Sequence, residues 1–184
     1  MRKVRREEIL DLATYERDRD AIRSRVMEIK RPRRVHVGAH LTFLFENADT
    51  MRYQVQEMLR AEKRAAEEGV LHELETYNEI LGDAGELGCT LLIEIEDKLQ
   101  RDRVLRKWLD LPRHLYLRRA DGGVARASFD ERQVGEERLS AVQYLKFAVG
   151  EGPPVAIGVD LPGLELEVEL AEATRRALAE DLST

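Results

Sequence analysis

The stretch His40-Leu-Thr-Phe-Leu-Phe-Glu-Asn-Ala-Asp-Thr-Met51 constrains this chain more than any other. Leu41, Phe43 and Phe45 alternate with Thr42 and Leu44, so neither face of the run is wet. A short run of this kind, closed by turn formers, fits a strand covered on both sides. Glu46 ends it on the Thr42/Leu44 face. Asn47, Asp49 and Thr50 follow, each with a side-chain oxygen able to cap a helix by accepting from its free N–H groups. A buried strand must therefore pass into a helix within a few residues.

On a wheel of about 100° per residue, Met51, Val55, Met58, Leu59 and Ala66 share one face of that helix, with Glu62 near its middle. Gln54, Met58 and Glu62 lie on one ridge at i, i+4 and i+8, where side chains stack. A carboxylate on an apolar stripe needs a cation, hydrogen-bond donors, a metal ion or a proton. An arginine partner, or exposure past a frayed end, satisfies Glu62 as well as a ligand does.

Around this centre the pattern predicts a short helix over residues 6–12 and a longer one over 15–30, ended by Pro32. A strand at 34–37 turns through Gly38-Ala39 into the central strand, and a second helix covers 70–81. Residues 89–95 read as the next buried strand, and 97–109 as a helix with Leu99, Val104, Leu105 and Trp108 inward. Strands at 114–118 and 124–128 flank Ala120-Asp-Gly-Gly123, a strong hairpin signal, and 130–138 holds at most one helical turn. Strands at 142–149, 155–159 and 164–170 precede a terminal amphipathic helix over 171–182. This order predicts an α+β fold, a largely antiparallel sheet with several packed helices, in a single domain over residues 1–184.

Charge is unevenly spread. Residues 1–34 hold 12 Lys and Arg against 7 Asp and Glu, and the remainder holds 18 against 29. A basic N-terminal helical arm is expected to pack on an acidic body. A net charge of −6 and the lack of a recognition motif argue against nucleic acid as the main ligand. No apolar run is long enough to span a membrane and the opening residues lack a signal-peptide pattern, so the expected location is the cytoplasm. Cys89 is the only cysteine, which excludes an internal disulfide and a multi-cysteine metal centre. On the Leu91/Ile93 face of its strand it reads as a small buried hydrophobe.

Phosphate-binding loops, a nucleophile elbow, His-Glu-x-x-His and the Glu-x-x-His pair of di-iron bundles are all missing. What remains is a scatter of hard-metal ligands. Glu46 and Glu94 end the same face of two apolar strands and become neighbours if the register allows. His36, His40, Glu57, Glu62 and His114 are candidates to join them, a donor set suited to iron or another divalent metal. The plainer alternative makes both glutamates strand-end ion pairs with Arg33, Arg34 or Arg118. Gln143, with Gln54, Gln56 and Glu57, is a candidate for an internal polar network. The alternating strand at 164–170 is a candidate edge for a homodimer.

The segments at 40–50, 54–62, 86–95 and 140–147 resemble a bacterial family known as a domain of unknown function, of about this length. The resemblance covers nearly the whole chain and carries no established activity. Genes of that family often lie beside those for rubrerythrin-like and iron–sulfur oxidoreductase proteins, which implies a role near peroxide stress or iron handling. Two functions are therefore expected. The first is a non-catalytic accessory protein docking on a redox or iron-handling partner. The second is a non-haem metal- or haem-binding enzyme or sensor using Glu46, Glu57, Glu62, Glu94, His36 and His40.

Overall fold

The computed structural model describes residues 2–63 and 66–184; Met1, Arg64 and Ala65 lie outside the described residues. The chain forms α1 (Leu12–Lys30), β1 (Arg34–Val37), β2 (Leu41–Glu46), α2 (Ala48–Glu62), α3 (Glu67–Asn78), β3 (Glu86–Ile93) and α4 (Lys98–Lys107). It continues through β4 (Leu115–Arg118), β5 (Val124–Ser128), β6 (Val142–Ala148), β7 (Ala156–Leu161), β8 (Leu164–Glu169) and α5 (Glu172–Leu182). The eight strands make one antiparallel sheet in the order β1-β2-β3-β6-β5-β4-β7-β8. The fold is α+β in a single domain, as the order of elements predicts.

β5 changes partner along its length: Ala125 pairs with Leu117 of β4, and Ala127 with Phe147 of β6. The sheet curls there into a nearly closed barrel. Its two ends meet where the turn after β1 lies under β8. Gly38 has φ of +63°, which favours glycine in this turn, and it packs against the Leu166 side chain of β8, whose Cδ1 would lie 2.6 Å from an added Cβ.

The barrel interior is one continuous apolar core. Val35, Val37, Phe43 and Phe45 face Leu87, Cys89, Leu91, Leu145 and Phe147, with Leu115, Leu117, Ile157 and Val159 closing the far wall. Leu105 and Trp108 of the α4 region close the end where β2 begins, and Leu178 of α5 closes the other. Burial and the charge of Glu46 push the Cys89 thiol up, so it packs as a neutral hydrophobe.

A second, smaller core joins the helices outside the sheet: Met51, Val55 and Leu59 of α2 against Val70, Leu74, Ile80 and Leu81, with Val4 and Ile9 from the chain start. These helices cover the outer faces of β2 and β3, where Thr42, Leu44, Glu46 and Thr90 are buried. The outer faces of β6, β5 and β8 stay exposed.

Some local expectations shift. Residues 6–12 make only a 3₁₀ turn, Arg6–Glu8, because Asp11 caps α1 by accepting from Thr14 N. α2 ends at Glu62 with Lys63 in a left-handed cap, so Ala66 precedes α3 instead of extending the α2 face. Leu99 is 70% exposed on α4, not inward; Leu105 is the buried position of that helix.

Candidate functional site

The β2–β3 register decides which candidate ligands meet. Leu41 pairs with Ile93 and Glu46 with Gly88, so Glu46 and Glu94 fall at opposite ends of the pair, roughly 20 Å apart along β3 at about 3.3 Å per residue. The expected Glu46/Glu94 neighbourhood does not form. Each glutamate instead has its own cluster.

At the first end, Glu94 accepts a short hydrogen bond from the Thr42 hydroxyl, and His36 Nδ1 lies 2.8 Å from the same Thr42 oxygen. Thr42 has one hydroxyl proton and gives it to Glu94, so His36 must donate through Nδ1. His40 Nδ1 lies 3.2 Å from the Glu94 carbonyl oxygen, which can only accept. With Nδ1 donating, Nε2 of each ring is left for a further partner. Thr42 is 1% exposed, out of reach as a nucleophile. Beside His40, which contacts the Trp108 ring at 6.4 Å, an open cleft of about 880 Å³ lies at the barrel mouth. Glu94, Glu96, Asp97 and Arg101 line it. The arrangement can orient hydrogen-bonding or ligating groups, but among the described residues no three His, Cys, Asp or Glu side chains gather around one metal position.

At the second end, Glu46 is 4% exposed and accepts from Thr50 Oγ1 at 2.6 Å and from Thr90 Oγ1 at 2.9 Å. Thr50 also closes the capping box of α2 with Asn47. The carboxylate thus ties β2, β3 and the first turn of α2 together, near the positive end of that helix. Its field reaches Tyr144, whose phenol is pushed up by burial first, then by Tyr77 and Glu46.

The other candidates are separate. Glu57 accepts from Arg19 at 2.8 and 2.7 Å and from the Tyr15 hydroxyl at 2.6 Å. Hydrogen bonding to Arg19 holds its carboxyl at about 2. Burial and Glu57 push the Tyr15 phenol up. Glu62 is exposed at the end of α2, beyond the apolar face, and Gln54 is half-buried. Gln143 is fully buried inside the barrel, donating to the Ser140 carbonyl at 3.0 Å with its Oε1 unpaired. Gln56 holds the backbone of Leu10 at both groups. Gln54, Glu57 and Gln143 therefore share no network. His114 donates to Asp160 at 3.0 Å on the outer face of the far wall.

Arg33 and Arg118 also have partners other than Glu46 and Glu94. Arg33 makes a two-pronged pair with Asp181 at 2.7 and 2.9 Å, both side chains under a tenth exposed. Asn47 donates to the same carboxylate at 3.0 Å. Arg118 bridges Glu167 and Glu169. Sequence reasoning missed Asp181 and Thr90, and read Thr50 only as a helix-cap candidate. The available signals were an acid beside Ala177 and Leu178 on an amphipathic helix, and a threonine within a doubly covered strand.

A crystal structure described as a novel protein of unknown function from Burkholderia pseudomallei K96243 superposes with a TM-score of 0.90. It is 32% identical and the match covers 98% of this chain and 100% of that one. Among curated proteins nothing matches. The family described as protein of unknown function (DUF3501) matches residues 3–182, and the chain belongs to that family.

Proposed function

We propose that this protein is a non-catalytic accessory protein that docks on a redox or iron-handling partner through the bare half of its barrel. The observation that carries this reading is the ordered charge lattice on that face. Arg126 lies 5.3 Å over the Tyr116 ring and donates to Asp160 at 2.6 Å. The Tyr116 hydroxyl donates to Glu167 at 3.0 Å, and Arg118 joins Glu167 to Glu169. Side chains already held in place lose little freedom on docking, so their charges favour a specific complex. The class of partner comes from the family resemblance.

The test is pull-down against a purified rubrerythrin-like protein and an iron–sulfur oxidoreductase encoded beside a family member, at low and high salt. Binding should weaken with salt and be lost in R118A/R126A, which should stay folded. Absence of binding to either protein at low salt overturns the reading.

A non-haem metal or haem site is the second reading, favoured by one observation: His36 and His40 engage Nδ1 in hydrogen bonds beside Glu94, which leaves Nε2 of each for a ligand. Elemental analysis and an absorption spectrum of protein purified without chelators test it. Stoichiometric metal lost in H36A/H40A supports it, and metal-free protein that takes up no iron rejects it.

A further inference from the structure

We propose that the free edge of β8 takes up an extended segment of a partner protein in which basic and apolar residues alternate, adding a strand to the sheet. β8 ends the strand order and, among the described residues, pairs with β7 alone. The turn Pro162-Gly163 closes on the pair Leu161 and Leu164, and Leu170 N donates to the Val155 carbonyl. Hydrogen-bonded pairs alternate along an antiparallel ladder, so Leu164, Leu166 and Val168 bond to β7. Glu165, Glu167 and Glu169 therefore turn both main-chain groups away from it. Such an unpaired row is a template for another chain. Leu166 points inward, opposite the buried Val159, and its side chain meets Gly38. The turn after β1 thus lies beneath β8, not in line with its edge.

The side chains along this edge select the occupant. Glu165, Glu167 and Glu169 are exposed on the outer face, with Asp160 of β7 opposite Glu165. Arg118 pairs with Glu167 and Glu169, and Arg126 with Asp160, while Glu165 accepts from the Gly163 N–H of its own turn. Four acids here meet two guanidiniums, and three of the acids line the edge itself. A strand laid along β8 sets every second side chain beside a glutamate, where a lysine or arginine is favoured and an acid disfavoured. Its remaining side chains fall beside Leu164, Leu166 and Val168, which are only partly covered; Leu166 is 37% exposed. Apolar residues there would bury that row. A second copy of β8 does not fit. Antiparallel pairing about Glu167 would set Glu167 against itself and Glu165 against Glu169, like charges face to face.

The docking reading rests on the charge lattice of the face, and this inference on the main chain of the edge, so the two can fail separately. The probe is an end-blocked peptide alternating lysine and valine, followed by titration calorimetry and NMR amide exchange. Peptides alternating glutamate and valine, and lysine and glycine, are the controls. The lysine–valine peptide should bind once per chain and slow exchange of the Glu165, Glu167 and Glu169 amides by about tenfold or more. Methylating its backbone nitrogens at alternate residues should abolish binding in one phase and spare it in the other, because only one set of N–H groups faces β8. E165Q/E167Q/E169Q should weaken binding about fivefold or more. Arg118→Ala, which should abolish capture of the redox partner, should leave peptide binding equal or tighter, because it frees Glu167 and Glu169. No binding, equal binding of either control, binding without protection of those amides, or equal loss in both methylated phases would each overturn the proposal. Self-association of the protein that protects the same amides would put a second copy in the partner's place and overturn it too.

Discussion

The two halves of the barrel use the same residue types to opposite effect. Beneath the helices, and where α5 meets them, carboxylates are buried and few. Glu46 is held by two threonine hydroxyls and Asp181 by one guanidinium and one amide. On the bare half, Asp160, Glu167 and Glu169 sit in solvent among Arg118 and Arg126. A buried charge has lost its water and depends wholly on its partners, whereas an exposed pair replaces water with little net gain. The covered half should therefore govern stability, and the bare half recognition.

The strongest challenge to this contrast is Asp181→Ala. It leaves the buried Arg33 without its carboxylate and removes the link from α5 to Asn47, so a loss of about 3–5 kcal/mol is expected in urea unfolding. Glu57→Gln should cost about 2–3 kcal/mol at neutral pH, after allowance for partial exposure. Because the folded carboxyl is held at about 2 against an ordinary 4.5, its contribution is present above about pH 4.5 and lost as pH falls toward 2. Wild-type and variant unfolding midpoints should converge over that range; a constant gap would disprove the assignment. Thr90→Val should cost about 1–2 kcal/mol by removing one of two donors to a buried carboxylate. Arg118→Ala should cost less than about 1 kcal/mol while abolishing salt-sensitive partner capture. If Arg118→Ala were as costly as Asp181→Ala, the division between the halves would fail.

The candidate site shows why half of it was readable. His36 and His40 flank the short turn between β1 and β2, which the sequence marks, whereas Glu94, just past β3, reaches them only through the β2–β3 pairing. Glu46 belonged to another place because it is six residues along β3 from that meeting point in the observed register. Gln143, Glu57 and Gln54 were grouped by polarity, yet they occupy the barrel interior, the α1–α2 contact and the α2 flank.

The sequence by itself determined the elements: the doubly covered β2, the polar residues that start α2, the Asp-Gly-Gly hairpin turn, the inert lone cysteine and the α+β class. These follow from sterics, side-chain period and hydrogen bonding within a few residues. Tertiary structure decided the strand order, the partner switch in β5, the closure at Gly38 and the Arg33–Asp181 contact across 148 residues. Those depend on packing between segments far apart in the chain. A local pattern records which face of a strand is apolar, but not which distant strand will cover it.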